Sequence, residues 1–169
     1  MEKFVVKVKG PFRIPCYVGK GGRSITDGNV DEFWEAHKKY ESSRGCYVFA
    51  IRAGKGFTPG YVGKATKGFK KEVFEYHKLS RYQQFLVDYA RGTPVLFFLV
   101  APVKKGKPNN SQIGEIEKYL INLGITANPD LLNEKGTKPP DWGIQGVVRG
   151  GKGKVSAVTK DFRKMLGIN

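Results

Sequence analysis

The stretch GCYVFAIRAGKGFTPGYVGKA, residues 45–65, decides the fold of this chain. Its first part, CYVFAI, is apolar and rich in β-branched and aromatic residues, which is typical of a strand. The segment AGKGFTPG that follows contains glycines and a proline, which favour a turn or a loop. A second strand begins with YVG at residues 61–63, so the whole stretch predicts a β-hairpin.

Each strand of this hairpin carries a tyrosine, Tyr47 in the first and Tyr61 in the second. If the turn centres near Gly54, the two tyrosines face each other on one side of the sheet. The chain contains 8 tyrosines, and a buried ring with a satisfied hydroxyl is the ordinary alternative for each of them.

The rest of the sequence predicts strands and helices around the hairpin. The segment VLFFLVA, residues 95–101, is apolar on both faces of a strand and is therefore expected at the centre of the sheet. Other patterns predict a strand over residues 4–8, a loop over 10–29, and helices over 29–40, 69–79, 82–90, 111–123 and 157–166. The expected fold is α/β, with a small central β-sheet made of the hairpin and a buried central strand, flanked by helices.

The chain has 169 residues, of which 40% are apolar, so residues 1–169 are expected to form a single domain. We expect an N-terminal extension of strand, loop and helix over residues 1–44, a core over 45–133, and a basic tail with a short helix over 134–169. No apolar run approaches the roughly 20 residues that span a bilayer, and the first residues lack a signal-peptide cleavage site. The expected compartment is the cytoplasm.

The charge of the chain points to a polyanionic partner. Lys and Arg number 30 against 15 Asp and Glu, which gives a net charge of +15. Such a field attracts nucleic acid at long range. DNA is the expected partner, ahead of structural RNA and of an anionic membrane surface. The residues expected to contact nucleic acid are Lys64, Lys67, Lys70, Arg149, Lys152 and Lys154.

Zinc and nucleotide cofactors are not expected. The 2 Cys and 2 His residues are scattered along the chain without a CxxC pair, which argues against a zinc site. The segment GVVRGGKG, residues 146–153, nearly matches a phosphate-binding P-loop but places Gly153 where the motif needs Ser or Thr. We interpret this segment as a basic turn.

The paired triplets Gly45-Cys46-Tyr47 and Tyr61-Val62-Gly63 resemble the signature of the GIY-YIG nuclease family. In that family a Gly-Ile-Tyr strand and a Tyr-Ile-Gly strand form a hairpin. The resemblance continues over residues 45–133: EKYLI at 117–121 is similar to the family's helical E-x-x-L-I pattern, and Asn133 follows a Pro-containing segment. It implies a GIY-YIG-like fold.

The resemblance also implies a DNA endonuclease that uses Mg²⁺, with Mn²⁺ as a substitute. A basic residue, usually Arg in the family, corresponds here to Lys71 or to Lys70. A phenol with a pKa of about 10 acts as a base only where a cation lowers that pKa, and Tyr47 is the favoured base. The implied site consists of the catalytic residues Tyr47, Tyr61, Lys71, His77 and Asn133 and of the metal ligand Glu117.

Helix geometry gives an independent reason to single out Glu117. Ile113, Ile116, Leu120 and Leu123 lie on one apolar stripe of the predicted helix, and Glu117 lies within that stripe. A carboxylate on a buried face is costly unless it is paired or bound to a metal. A magnesium ion and a salt bridge to a nearby Lys are the two alternatives.

A basic nucleic-acid-binding protein without catalysis is the alternative function. It accounts for the net charge and for the many aromatic residues. It does not account for a pair of tyrosines together with a glutamate on an apolar helix face.

Overall fold

The computed structural model describes residues 4–103, 109–136, 144–147 and 153–168. The chain divides into two compact units, Met1–Thr137 and Lys138–Asn169. The larger unit is an α/β structure built on a four-stranded antiparallel sheet and a separate two-stranded hairpin. None of the described helices has both the length and the apolar character needed to cross a membrane.

The strands are β1 (Lys7–Arg13), β2 (Tyr17–Gly19), β3 (Gly22–Ser24), β4 (Gly45–Ala53), β5 (Gly56–Ala65) and β6 (Thr93–Val100). The helices are α1 (Asp27–Ala36), α2 (Phe69–Glu72), α3 (Tyr76–Asp88), α4 (Asn110–Ala127) and, in the smaller unit, α5 (Ala157–Met165); a 3-10 helix spans Lys38–Tyr40. The large sheet has the order β1-β6-β4-β5, and β2 pairs with β3.

The central part of the prediction is confirmed. Strands β4 and β5 form the expected hairpin, with Ala53 opposite Gly56 across the turn. Strand β6 lies between β1 and β4, as its apolar character on both faces requires. The terminal helix α5 also matches its prediction within one residue.

The predicted loop over residues 10–29 is wrong, because it contains most of β1, all of β2 and β3, and the start of α1. Strand β1 is an edge strand whose residues are almost all exposed, and the strand predicted over residues 4–8 overlaps it only at Lys7 and Val8. The predicted helix over 69–79 is interrupted at Glu75, whose backbone is extended. Helix α4 is capped by Asn109, which accepts a hydrogen bond from the Gln112 amide, and not by Ser111.

Helices pack on both faces of the sheet. The face that carries Tyr47, Phe49 and Phe98 packs against the aromatic side chains of α1, α2 and α3, and is called the α3 face below. The opposite face packs against α4 through Ile113 and Ile121, and is called the α4 face. Strand β5 is the edge of the sheet, so its free side lies between the helices of the two faces.

A β-bulge in β5 decides which side chains share a face. Near the turn Ala50 pairs with Pro59, whereas farther along Phe49 pairs with Tyr61, so Gly60 is an extra residue. Residues opposite each other on paired strands lie on the same face. If Gly60 paired regularly with Phe49 and formed no bulge, Tyr61 would lie opposite Val48 on the α4 face. The bulge therefore places Tyr61 on the same face as Tyr47, with ring centroids 6.4 Å apart.

Gly63 provides the space that the Tyr47 ring occupies. The two residues are directly opposite each other in the hairpin. A Cβ atom on Gly63 would lie 2.3 Å from the Tyr47 hydroxyl oxygen, which is far inside van der Waals contact. The second glycine of the paired triplets is therefore required by packing.

The substitution Gly63→Ala should lower the free energy of unfolding by about 1–3 kcal/mol, because the fully buried Tyr47 ring has to shift in a packed core. Gly56→Ala is the control in the same strand, since the nearest atom to its added Cβ would be 3.8 Å away. Chemical denaturation of both variants measures the difference. Equal stability of the two variants would contradict the packing of Tyr47 on Gly63.

Candidate active site

A cleft of about 390 Å³ opens at the free edge of β5. It forms there because α3 and α4 pack on opposite faces of the sheet and both border the edge strand. Five residues predicted for the site line it: Tyr61, Lys64, His77, Glu117 and Asn133. The remaining lining comes from Arg81, Lys118, Ile121, Glu134, Lys135 and Gly136.

Three lysines predicted for the site do not line this cleft. Lys71 is exposed on the short helix α2. Lys70 forms an ion pair with Glu41, with its Nζ 2.7 Å from the carboxylate oxygen. Lys67 is exposed and its backbone amide donates to Glu72. The structure therefore leaves both candidates for the family's basic residue outside the cleft.

The basic tail is described only in part. Lys154 is exposed in the smaller unit. Arg149 and Lys152 lie outside the described residues.

Tyr61 is the tyrosine of the hairpin that reaches the cleft. Its ring is partly buried and contacts Tyr82 edge to face, with centroids 5.9 Å apart. Burial raises the pKa of Tyr61, the negative charge of Glu117 raises it further, and the Arg81 guanidinium opposes the rise. The Tyr61 hydroxyl is therefore protonated at neutral pH in this state of the protein.

Tyr47 lies in the core, with 0% of its surface exposed. Burial raises the pKa of Tyr47 well above its ordinary value, and the neighbouring Tyr82 and Tyr61 raise it further. No hydrogen bond of normal geometry joins the Tyr47 hydroxyl to a described residue, although the Tyr82 hydroxyl lies beside it. The Nζ of the buried Lys78 lies 5.6 Å from the Tyr47 ring centroid and donates to the Glu72 carbonyl. The preference for Tyr47 as the base is therefore corrected, because its hydroxyl does not reach the water of the cleft.

Glu117 is half-buried where α4 faces the cleft. Its side chain is 20% exposed, and its carboxylate lies 3.0 Å from the Nζ of Lys64. The helix buries Ile113, Ile121 and Gly124, whereas Leu123 is 49% exposed, so its predicted place in the stripe is wrong. The salt bridge considered as an alternative to a metal is thus present.

Glu117 can still serve as a ligand for one hard cation. Magnesium is commonly bound by one or two carboxylates, with water and substrate phosphate oxygens as its other ligands. Among the described residues, no group of three or more His, Cys, Asp or Glu side chains could hold a metal ion. A magnesium ion at Glu117 would thus depend on phosphate oxygens, and Lys64 would have to move away from the carboxylate.

Arg81 is the cleft residue that sequence reasoning missed. It projects from α3 and forms an ion pair with Glu134 of the loop that follows α4. His77 and Arg81 are separated by one helical turn, so both side chains lie on the same side of α3. This four-residue spacing in the sequence was the signal from which Arg81 could have been identified as a neighbour of His77. A guanidinium can bind a phosphate through two hydrogen bonds, which neither Lys70 nor Lys71 can do.

Asn133 binds the backbone of the edge strand. Its Nδ2 donates to the Val62 carbonyl at 2.6 Å, and its Oδ1 accepts from the Val62 amide at 2.9 Å. The neighbouring Leu132 amide donates to the Gly60 carbonyl, and the Asn128 side chain donates to the Pro59 carbonyl. The amide group of Asn133 therefore holds the loop on β5 and thereby positions Glu134 at the cleft.

Comparisons with known protein families, with curated proteins and with solved structures find no match to this chain.

Proposed function

We propose that this chain is a metal-dependent endonuclease of the GIY-YIG type that hydrolyses phosphodiester bonds in DNA. The observation that carries the proposal is the cleft at the edge of β5, where Tyr61, Glu117 and Arg81 line one cavity. The hairpin with the paired triplets supports it, because this hairpin supplies Tyr61. The net charge of +15 supports a polyanionic substrate.

A basic nucleic-acid-binding protein without catalysis, on DNA or structural RNA, is the alternative. Its binding energy would come from phosphate contacts and from stacking on aromatic rings. It would not require a half-buried carboxylate and a phenol in the same cleft as a guanidinium. The convergence of these three groups favours hydrolysis.

The cleft residues have different roles in the proposed hydrolysis. Arg81 and Lys64 hold the scissile phosphate and balance the negative charge that develops on it. The Tyr61 hydroxyl orients the attacking water. Glu117 would hold the magnesium ion, which when bound supplies Lewis-acid stabilisation of the phosphate and of the leaving oxygen.

The protonation of Tyr61 depends on Glu117. The carboxylate raises the pKa of this phenol, so neutralising the carboxylate lowers that pKa. A cation held at Glu117 would offset this charge, and the Tyr61 phenol would then give up its proton more readily than in the free protein. The proposed cation site and the deprotonation of Tyr61 are therefore coupled.

The substitution Glu117→Gln should reduce cleavage of supercoiled plasmid in magnesium by at least about a hundredfold, because the charge-stabilising site is lost. Binding of the same DNA without metal should be unchanged or tighter, since one negative charge is removed. Glu115→Gln is the matched control on an exposed position of the same helix. If both variants cleave alike, Glu117 is not a metal ligand.

The substitution Tyr61→Phe should lower the single-turnover cleavage rate by about tenfold to a hundredfold, the lower range for a group that handles a proton. Tyr47→Phe should change that rate by less than about threefold, and should not lower the stability, because the lost hydroxyl is buried without a partner. Rapid-quench assays and thermal denaturation measure the two quantities. A larger loss of rate in Tyr47→Phe would restore Tyr47 as the base.

The substitution Arg81→Lys should lower the cleavage rate by at least about tenfold, because a lysine keeps the charge but loses the two-hydrogen-bond contact with phosphate. Lys71→Gln removes a whole charge from an exposed position outside the cleft and should change the rate by less than about threefold. Single-turnover assays at saturating enzyme separate this effect from DNA affinity. The reverse order of effects would place Lys71 at the phosphate.

A further inference from the structure

The α4 face of the sheet carries a second surface, at the turn end of the hairpin. Arg52 lies at the opposite end of β4 from Cys46, which pairs with Lys64 of the cleft. With a rise of about 3.3 Å per residue in a strand, Arg52 lies roughly 20 Å from Cys46. The surface is defined by Arg13, Arg52, Phe57 and Phe97, and is called the arginine–aromatic surface below.

Strand register places these side chains together. Phe57 lies opposite Arg52, and Arg52 lies opposite Thr93, so these residues form one row across β5, β4 and β6. In the next row Ala50 lies opposite Val95, and Val95 lies opposite Arg13 of β1. Because strands are spaced by about 4.8 Å, the surface extends roughly 14 Å from Phe57 to Arg13. Between the two arginines is a shallow depression that includes Pro11, Thr93 and Val95.

Phe57 offers an aromatic face to solvent. Its side chain is 43% exposed although it is a large apolar group on the sheet. The Phe97 ring packs edge to face against the Phe57 ring, with centroids 5.3 Å apart. The guanidinium of Arg52 lies 5.9 Å from the centroid of the Phe57 ring. The ring is thus fixed in place while part of its surface remains open.

The charged residues of this surface are all positive. Strands β1, β4, β5 and β6 contain no Asp or Glu at all. Arg13 and Arg52 are exposed, and neither takes part in an ion pair with another residue of the described parts of the chain. The surface therefore favours an anionic partner, and the exposed aromatic ring favours one that also carries planar groups.

We propose that the arginine–aromatic surface binds single-stranded DNA, with a base stacked on Phe57 and with backbone phosphates on Arg13 and Arg52. Unpaired bases expose the faces that stack on aromatic side chains, and such stacking combined with basic residues is how single strands are bound. A duplex hides those faces within its stack of base pairs. The proposal goes beyond the endonuclease activity and does not depend on it, because the surface is separate from the cleft.

The test measures the affinity of the full chain for a fluorescent single-stranded oligodeoxynucleotide and for the matching duplex, in chelator so that no cleavage occurs. Phe57→Leu should weaken single-strand binding by at least about fivefold, which corresponds to about 1 kcal/mol, and duplex binding by less than about twofold. The double variant Arg13→Gln and Arg52→Gln should reduce the slope of log affinity against log salt by about 1.4 for the single strand.

Tyr17→Leu is the matched control, because Tyr17 is an exposed aromatic residue on β2, outside the large sheet, and should leave single-strand affinity unchanged. Unchanged single-strand affinity in Phe57→Leu, or an unchanged salt slope in the arginine variant, would overturn the proposal. Equal losses for the duplex, or tighter binding to anionic vesicles than to the oligonucleotide, would also overturn it. If Phe57→Leu fails to fold, the salt slope of the arginine variant still tests the proposal.

Discussion

One extra residue in an edge strand determines where the groups of the cleft point. Gly60 shifts the pairing of β5 with β4, so that Tyr61 faces α3 while Lys64 faces α4. If Gly60 paired regularly with Phe49 instead of forming a bulge, all side chains beyond it would exchange faces. Only glycine fits at this point, since a Cβ would lie 2.7 Å from the Phe85 ring. The packing of α3 on the sheet and the placement of the cleft therefore depend on the same residue.

The free edge of β5 has a second consequence for the site. An edge strand presents unpaired backbone groups, which proteins usually cover. Here the loop after α4 covers them, through hydrogen bonds from Asn128, Leu132 and Asn133 to consecutive parts of β5. The same loop brings Glu134 to Arg81. The loop after α4 therefore protects the strand edge and also forms one wall of the cleft.

The parts of the fold that depend on local pattern could be predicted from the sequence. The hairpin and the central strand β6 follow from turn residues and from apolar character, and Glu117 follows from helical spacing. A strand was predicted over residues 4–8, but the true extent of β1, Lys7–Arg13, could not be predicted, because an exposed edge strand has no buried face to mark it. Arg81 was missed because it falls between the helices predicted over 69–79 and 82–90, whereas α3 runs without a break over Tyr76–Asp88 and places His77 and Arg81 one turn apart. The hydrogen bonds of Asn133 depend on a contact between distant segments, which no local pattern encodes.

Two cations of the cleft already have partners within the protein: Arg81 has Glu134 and Lys64 has Glu117. A phosphate that enters the cleft therefore competes with carboxylates of the protein itself. The apparent dissociation constant equals the intrinsic one divided by the fraction of molecules in which the pairs are open. Salt weakens these internal pairs as well as any contact between the same cations and a phosphate. The cleft should therefore contribute less to the salt dependence of affinity than two unpaired cations would, and it should remain largely free of small anions in the cell.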